Sequence, residues 1–217
     1  MPACRSLLPG NRFTVPYALH LMDFTDVVIE RRSVYDLGKA VLSDDAVSRL
    51  QRIAMDVPSA YNSQSQRVML LLEKEHDALW DIVGSSLRRK IGDERYNGKT
   101  SEKIDSFRAA AGTVLFFDDA DVTSSFVERF PSGAENFPVW ANHANGMMQY
   151  AFWLAFADMG LGASLQHYNP LIDDDVKERW GLPAGWKLLA QMPFGAVNER
   201  PGAKEYMPVS EKIRVLR

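Results

Sequence analysis

Residues 139–159 constrain the fold more than any other stretch. Met147, Met148, Tyr150, Phe152, Trp153, Leu154 and Phe156 crowd too closely to form one stripe of a helix. A helix that is apolar around most of its girth is buried on most of its faces. The chain has 217 residues, enough for one ordinary domain. A domain of this size has little core in which to hide such a helix on its own. The reading is a central helix partly covered by a second subunit. Gly160 and Gly162 stop it.

The remaining elements alternate around that helix. Residues 23–30 predict a short helix, with Phe24, Val27 and Val28 at helical spacing. Ser43 is a candidate N-cap, followed by Asp44 and Asp45 where a first turn favours negative charge. Val47, Leu50, Ile53 and Ala54 form the apolar face of that second helix. Strands are expected at residues 67–72, 113–117, 163–166 and 186–192. Further helices are expected at 76–91, 121–130 and 173–180. Residues 92–99 are polar and contain glycine, which predicts an exposed loop. Residues 131–138 read as a break. The tail, 199–217, has little periodicity and is expected to be frayed or draped over a partner. Helices interleaved with about four apolar strands indicate a single α/β or α+β domain. Residues 1–21 carry Pro2, Pro9 and Pro16 and no continuous apolar run, so neither a signal peptide nor a membrane span is expected. They are expected to be a leader outside the domain, with Met22 the natural start and a cytoplasmic protein of residues 22–217.

Several chemistries are excluded. The formal charge is −3 with no basic stripe, which argues against a nucleic-acid partner. Cys4 is the one cysteine, so no internal disulfide can form. His20, His76, His143 and His167 show no metal-ligand spacing. Asp173, Asp174 and Asp175 are read as complementing a helix dipole rather than holding a cation. Dinucleotide, P-loop, metalloprotease and nucleophile-elbow fingerprints are all missing.

Three stretches remain. Pro58-Ser59-Ala60-Tyr61-Asn62-Ser63-Gln64-Ser65-Gln66-Arg67 is a polar loop pinned between a helix and a strand. Its amides both donate and accept hydrogen bonds, which suits a planar polar ligand. Arg31-Arg32-Ser33 ends the first helix. It reads either as complementing a helix C-terminus or as a phosphate clamp, because the guanidinium fork matches phosphate oxygens. Lys204 could add a point charge. Ser164-Leu165-Gln166-His167-Tyr168 follows the long helix. Phe126, Phe130, Phe137 and Trp140 read equally as pocket walls or as core.

Taken in order, Glu30-Arg31-Arg32-Ser33-Val34-Tyr35, the 58–67 loop, Gly162-Ala163-Ser164-Leu165-Gln166-His167-Tyr168-Asn169-Pro170, Phe194-Gly195 and the Pro201-to-Lys204 spacing resemble the FMN-dependent nitroreductase family. They are most similar to its small copper-induced and fatty-acid-repression branch. The resemblance implies an α+β three-layer sandwich, with a mostly antiparallel central sheet, helices on both faces and an intertwined homodimer with FMN at its interface. It implies that Arg31, Ser33 and Lys204 hold the FMN phosphate, with Arg32 sharing that work or touching the flavin edge. Asn62 and Gln64 would bind the pyrimidine edge or ribityl hydroxyls, and Arg67 would lie near the N1/O2 edge. Gln166 and His167 would offer a backbone N–H towards N5 and O4, with no catalytic acid or base among these residues. The implied activity is ping-pong hydride transfer from NAD(P)H through flavin N5 to a nitroaromatic or quinone. A flavin-binding redox sensor without turnover is the alternative. The family's larger members often carry a lysine two residues after the clamp serine, where this chain has Tyr35.

Overall fold

A computed structural model describes residues 23–217. The expected leader, and the expected start at Met22, lie outside the described residues. Helix α1 (Phe24–Glu30) starts on Asp23, whose carboxylate accepts the Thr25 N–H at 2.8 Å. A two-residue strand β1 (Leu37–Gly38) leads to α2 (Asp44–Asp56), capped by Ser43 Oγ on the Ala46 N–H. Strand β2 (Gln66–Leu72) runs directly into α3 (Glu73–Ile91). Then come α4 (Asp93–Tyr96), α5 (Lys99–Arg108), β3 (Gly112–Asp119), α6 (Ala120–Arg129) and α7 (Asn136–Asp158). The chain closes with β4 (Gly162–Ala163), α8 (Asp173–Trp180), β5 (Trp186–Val197) and α9 (Val209–Lys212).

Strand β3 lies at the centre because it is apolar on both faces. Such a strand needs a layer on each side. The five-stranded sheet runs β1-β5-β3-β2, with β4 also paired to β5. Every named pair is antiparallel. Side chains alternate across the pleat. Val114 and Phe116 join Ala190, Met192 and Phe194 against α2 and α7. Leu115 and Phe117 join Leu71 and Leu188 against α3, α5 and α8. The result is the three-layer α+β sandwich that the sequence motifs imply. The register of β3 on β5 slips between Phe116 and Phe117. Asn145, buried within α7, donates its Nδ2–H to the Phe117 carbonyl at this bulge, at 2.9 Å.

Some expectations are corrected. Residues 92–99 are not a plain exposed loop. They include α4, whose Tyr96 is buried, with the Arg88 guanidinium 4.6 Å from its ring centroid. Helix α5 was not foreseen. Its buried face is only Ile104 and Phe107, too narrow a stripe to signal a helix. The strand expected at 163–166 ends at Ala163, although the chain stays beside β5 as far as Gln166. Strand β5 does not stop at Met192. It passes through Pro193, whose carbonyl accepts Ser164 N–H at 3.2 Å while its missing N–H leaves that pair with one bond instead of two. Helix α7 begins at Asn136, so Pro138 sits in its first turn rather than in a break. His143, which its place in the long helix suggests is a core or interface histidine, is not in the core of this chain but exposed.

His76 is fully buried under this sheet. Its Nε2 lies 3.1 Å from the Arg108 carbonyl, so it must carry the proton. Its Nδ1 then accepts from the Thr113 hydroxyl at 2.9 Å, and Thr113 accepts Trp80 Nε1–H at 3.0 Å. Burial, aided by Lys39 and Arg108, lowers the His76 pKa from 6.5, against the opposing pull of the Arg108 carbonyl and Asp77. Below that value the unfolded chain binds a proton that the folded chain refuses, so stability falls with pH. Urea midpoints should drop between about pH 7.5 and about pH 5, and drop less for His76→Gln. An identical drop in both proteins would remove His76 from the effect.

Candidate functional site

Helix α1 ends as Arg31 turns extended, and the chain then runs beside β4. Ser33 bridges Ala163, and Val34 N–H donates to the Ala163 carbonyl at 3.0 Å. This places Arg31, Arg32 and Ser33 at the sheet edge, against the C-terminal half of α7. A cavity of about 510 Å³ opens there, lined by Arg31, Arg32, Trp153, Arg200 and Tyr206 among others.

The cavity's two carboxylates are already engaged. Glu30 pairs with Arg200 at 2.6 Å, and Asp158 with Arg49 at 2.5 Å. Arg32 donates to the Gly202 carbonyl at 3.0 Å, which ties the tail across the clamp. The Arg31 guanidinium lies 4.5 Å from the centroid of the Trp153 ring. Arg31 Nε is buried and has no partner among the described residues, and the same is true of Trp153 Nε1. Lys204 lies in the tail segment that crosses the clamp. It is exposed, with its ammonium 5.1 Å from the centroid of the Tyr206 ring.

The 58–67 loop forms a second cluster. Tyr61, Asn62 and Gln64 all have positive φ, at 55°, 52° and 50°. Such backbone persists only where the surroundings fix it. Ser59 does much of this: its carbonyl accepts Asn62 N–H at 3.0 Å and its hydroxyl accepts Gln64 N–H at 2.9 Å. The expected rigidity is therefore present. Arg67 closes the loop by donating to the Gln64 carbonyl at 2.6 Å, and it pairs with Asp119 at 2.8 Å. Its charge is thus largely balanced within the chain. Tyr61 packs on Phe130, Phe137 and Trp140, with centroids at 5.2, 5.6 and 6.1 Å. The aromatic residues of 126–140 are one wall beside the loop, with Phe137 alone fully in the core.

The third stretch divides. Gln166 N–H donates to the Gln191 carbonyl at 2.7 Å, so it is not available to a ligand. His167 is exposed, and its N–H has no partner among the described residues. Next to it, burial pushes the Tyr168 phenol up to about 12, so it stays protonated and is no base.

Sheet register gives the spacing. The row of Leu72, Gly112, Phe194, Ala163 and Ser33 is three residues from the row of Met69, Leu115, Gln191 and Gln166. That is about 10 Å along the strands. Arg67 lies two residues further on in β2, with β3, β5 and β4 between it and Ser33. The two corners are therefore roughly 25 Å apart in a flat sheet. The chain sets Arg31, Arg32 and Ser33 at one corner of the sheet, with His167 about 13 Å away along the strands, and holds Asn62, Gln64 and Arg67 at another corner.

Sequence reasoning missed Trp153, Arg200, Asp119 and the Arg49–Asp158 pair. Trp153 was absorbed into the apolar pattern of the long helix. Arg200 stands immediately before Pro201 of the tail motif, and that adjacency was the available signal. Among the described residues, no group of three His, Cys, Asp or Glu could hold a metal ion. No helix among them is long and apolar enough to cross a membrane.

Residues 28–196 match the family model described as Nitroreductase family. The Saccharomyces cerevisiae protein HBN1 is 34% identical over 181 residues, which is 82% of this chain and 89% of that protein. Nitroreductase CinD from Lactococcus lactis, solved with chloramphenicol, is 36% identical with a TM-score of 0.83, covering 90% of this chain and 100% of that one. A second CinD structure holds 4-nitrophenol. A Desulfovibrio desulfuricans protein solved with FMN shares the fold at 18% identity and a TM-score of 0.65, covering 89% of this chain and 96% of that one. The match across most of the chain, on a three-layer sandwich with Arg31, Arg32 and Ser33 at its edge, means that this chain belongs to the nitroreductase family.

Proposed function

We propose that this oxidoreductase is an FMN-dependent NAD(P)H enzyme that reduces nitroaromatics or quinones and works as a homodimer. The observation that carries the reading is the clamp cavity. Arg31 there has a buried Nε with no partner among the described residues, and the neighbouring Ser33 lies four residues, about 13 Å along the strands, from the His167 N–H, which is likewise without a partner among them. A phosphate at one end and a polar ring edge at the other, joined by a short polyol, fits that separation. Bound FMN would supply the redox chemistry, taking hydride from NAD(P)H and passing it to an acceptor.

The chain's own residues bind, orient and exclude water. Arg31 and Ser33, with Arg32 and Lys204 from the same corner, would neutralise the phosphate. The His167 N–H would fix one ring edge. Asn62 and Gln64 stand on a rigid loop and can meet the other polar edge, with Arg67 behind them. Those residues lie too far from Ser33 to serve the same ligand in one chain. A symmetric dimer, with its self-complementary interface, can place one chain's loop beside its partner's clamp. The exposure of Met55, Met147 and Tyr150, and of Val209, Ile213, Val215 and Leu216 in the tail, favours such an interface. The Tyr61 and Trp140 rings offer an apolar wall for a planar acceptor. The CinD complexes with chloramphenicol and 4-nitrophenol support nitroaromatic acceptors. Protons can come from water, since Tyr168 keeps its own.

The test is anaerobic titration of purified yellow protein. NADH or NADPH should bleach it, and a nitroaromatic or quinone should restore the colour. The same sample should sediment at twice the chain mass. A yellow protein bleached by neither nucleotide would favour a redox sensor, and a colourless protein that takes up no FMN would overturn the cofactor assignment.

A further inference from the structure

Two buried donors stand side by side in the clamp cavity without an acceptor. Arg31 Nε and Trp153 Nε1 are both buried and unpartnered among the described residues. The guanidinium lies 4.5 Å from the indole centroid. Leaving a buried donor unmet is costly, so native chains keep few such groups. The cavity's carboxylates do not serve them: Glu30 is turned to Arg200 and Asp158 to Arg49, and neither bonds Arg31 Nε or Trp153 Nε1. A single water would answer one donor at a time. An anion with several oxygens answers both donors and also suits the half-buried guanidinium, which makes no ion pair among the described residues.

We infer that Trp153 is a phosphate-binding residue, whose indole N–H donates to the terminal phosphomonoester of the flavin while its ring holds Arg31 flat for the same anion. The inference rests on the FMN reading above. It gives the long helix a direct role in cofactor selection that its apolar pattern hides. The ring contributes a stacking surface for the guanidinium, and the N–H contributes a charge-assisted hydrogen bond. The contribution is specific to the phosphate, so FMN and riboflavin should separate it from any contact with the ring system.

Trp153→Phe keeps a ring under Arg31 and removes only the donor. Equilibrium dialysis of the full-length protein should show FMN binding weakened at least about tenfold, with riboflavin binding unchanged. Equal loss for both flavins would overturn the inference and make Trp153 structural, as would no loss for either. A second measurement needs no variant. In ¹⁵N-labelled wild-type protein the Trp153 indole N–H resonance should move downfield on adding FMN and stay in place on adding riboflavin. No movement with FMN would overturn the inference even if Trp153→Phe fails to fold. If the wild type binds neither flavin, the FMN reading itself fails. Inorganic phosphate then decides Trp153 alone, by raising the wild-type melting temperature more than that of Trp153→Phe. Equal rises, or none, would remove the anion site.

Discussion

Phe156→Ala is expected to destabilise the protein by about 3–5 kcal/mol. Phe156 is fully buried in α7 and stacks on Phe194 of β5, with centroids 4.2 Å apart and ring planes 11° apart. Offset-stacked pairs add about 0.5–1.5 kcal/mol beyond area burial. The cost depends on how far the site can collapse, and here it cannot collapse far. Beside Phe194, strand β5 is pinned: a Cβ on Gly195 would collide with the Gly38 carbonyl and approach the Ala111 nitrogen at 3.0 Å. Phe194 itself lies so close to Gly112 that a Cβ there would stand 2.6 Å from the ring. Gly112 thus leaves room for the Phe194 ring on which α7 packs, and Gly195 lets the backbone at Gly38 and Ala111 close onto β5. Urea denaturation at fixed protein concentration measures the loss, with Phe156→Leu as a milder comparison. A loss below about 2 kcal/mol would mean that the helix relaxes into the space.

Arg31→Ala is expected to weaken FMN binding by about 1.5–3 kcal/mol, the range for a hydrogen bond to a charged group. That is roughly a tenfold to hundredfold rise in the dissociation constant. Arg32→Ala should do less, because Arg32 is already spent on the Gly202 carbonyl. The contrast between neighbouring arginines is the informative result. Flavin released on dilution can be followed by its fluorescence. Unchanged retention in Arg31→Ala would remove it from the clamp, and a larger loss in Arg32→Ala would reverse the two roles.

The architecture was largely legible because its main signals are local. The crowding of apolar residues between Met147 and Phe156 marked α7, and Ser43 with its two aspartates marked the start of α2. Helix α5 was not legible, since Ile104 and Phe107 alone face the core. The Arg31-Arg32-Ser33 and 58–67 motifs located the candidate residues but not their partners. Asp119 is 52 residues from Arg67, and its pairing with that arginine follows from strand register alone. The commitment of Gln166 N–H to Gln191 is likewise a register fact. Trp153 was invisible for a different reason. An apolar helix gives every large side chain on it the same apparent meaning, and a single polar atom on an indole does not disturb the pattern.

Helix α7 touches both corners of the sheet. Trp140 near its start meets Tyr61 of the loop, and Trp153 near its end lies under Arg31. Thirteen residues separate the two tryptophans, about 20 Å at 1.5 Å per residue. One continuous helix therefore acts as a ruler between them. Adding or deleting a single residue would turn one end by about 100° relative to the other, because 3.6 residues complete a turn. The interval between Trp140 and Trp153 can thus change its side chains but not its length. Changes of length must fall outside it, in the connections around α4 and α5, because the turn at Pro131 joins Phe130 to Phe137 and both pack on Tyr61.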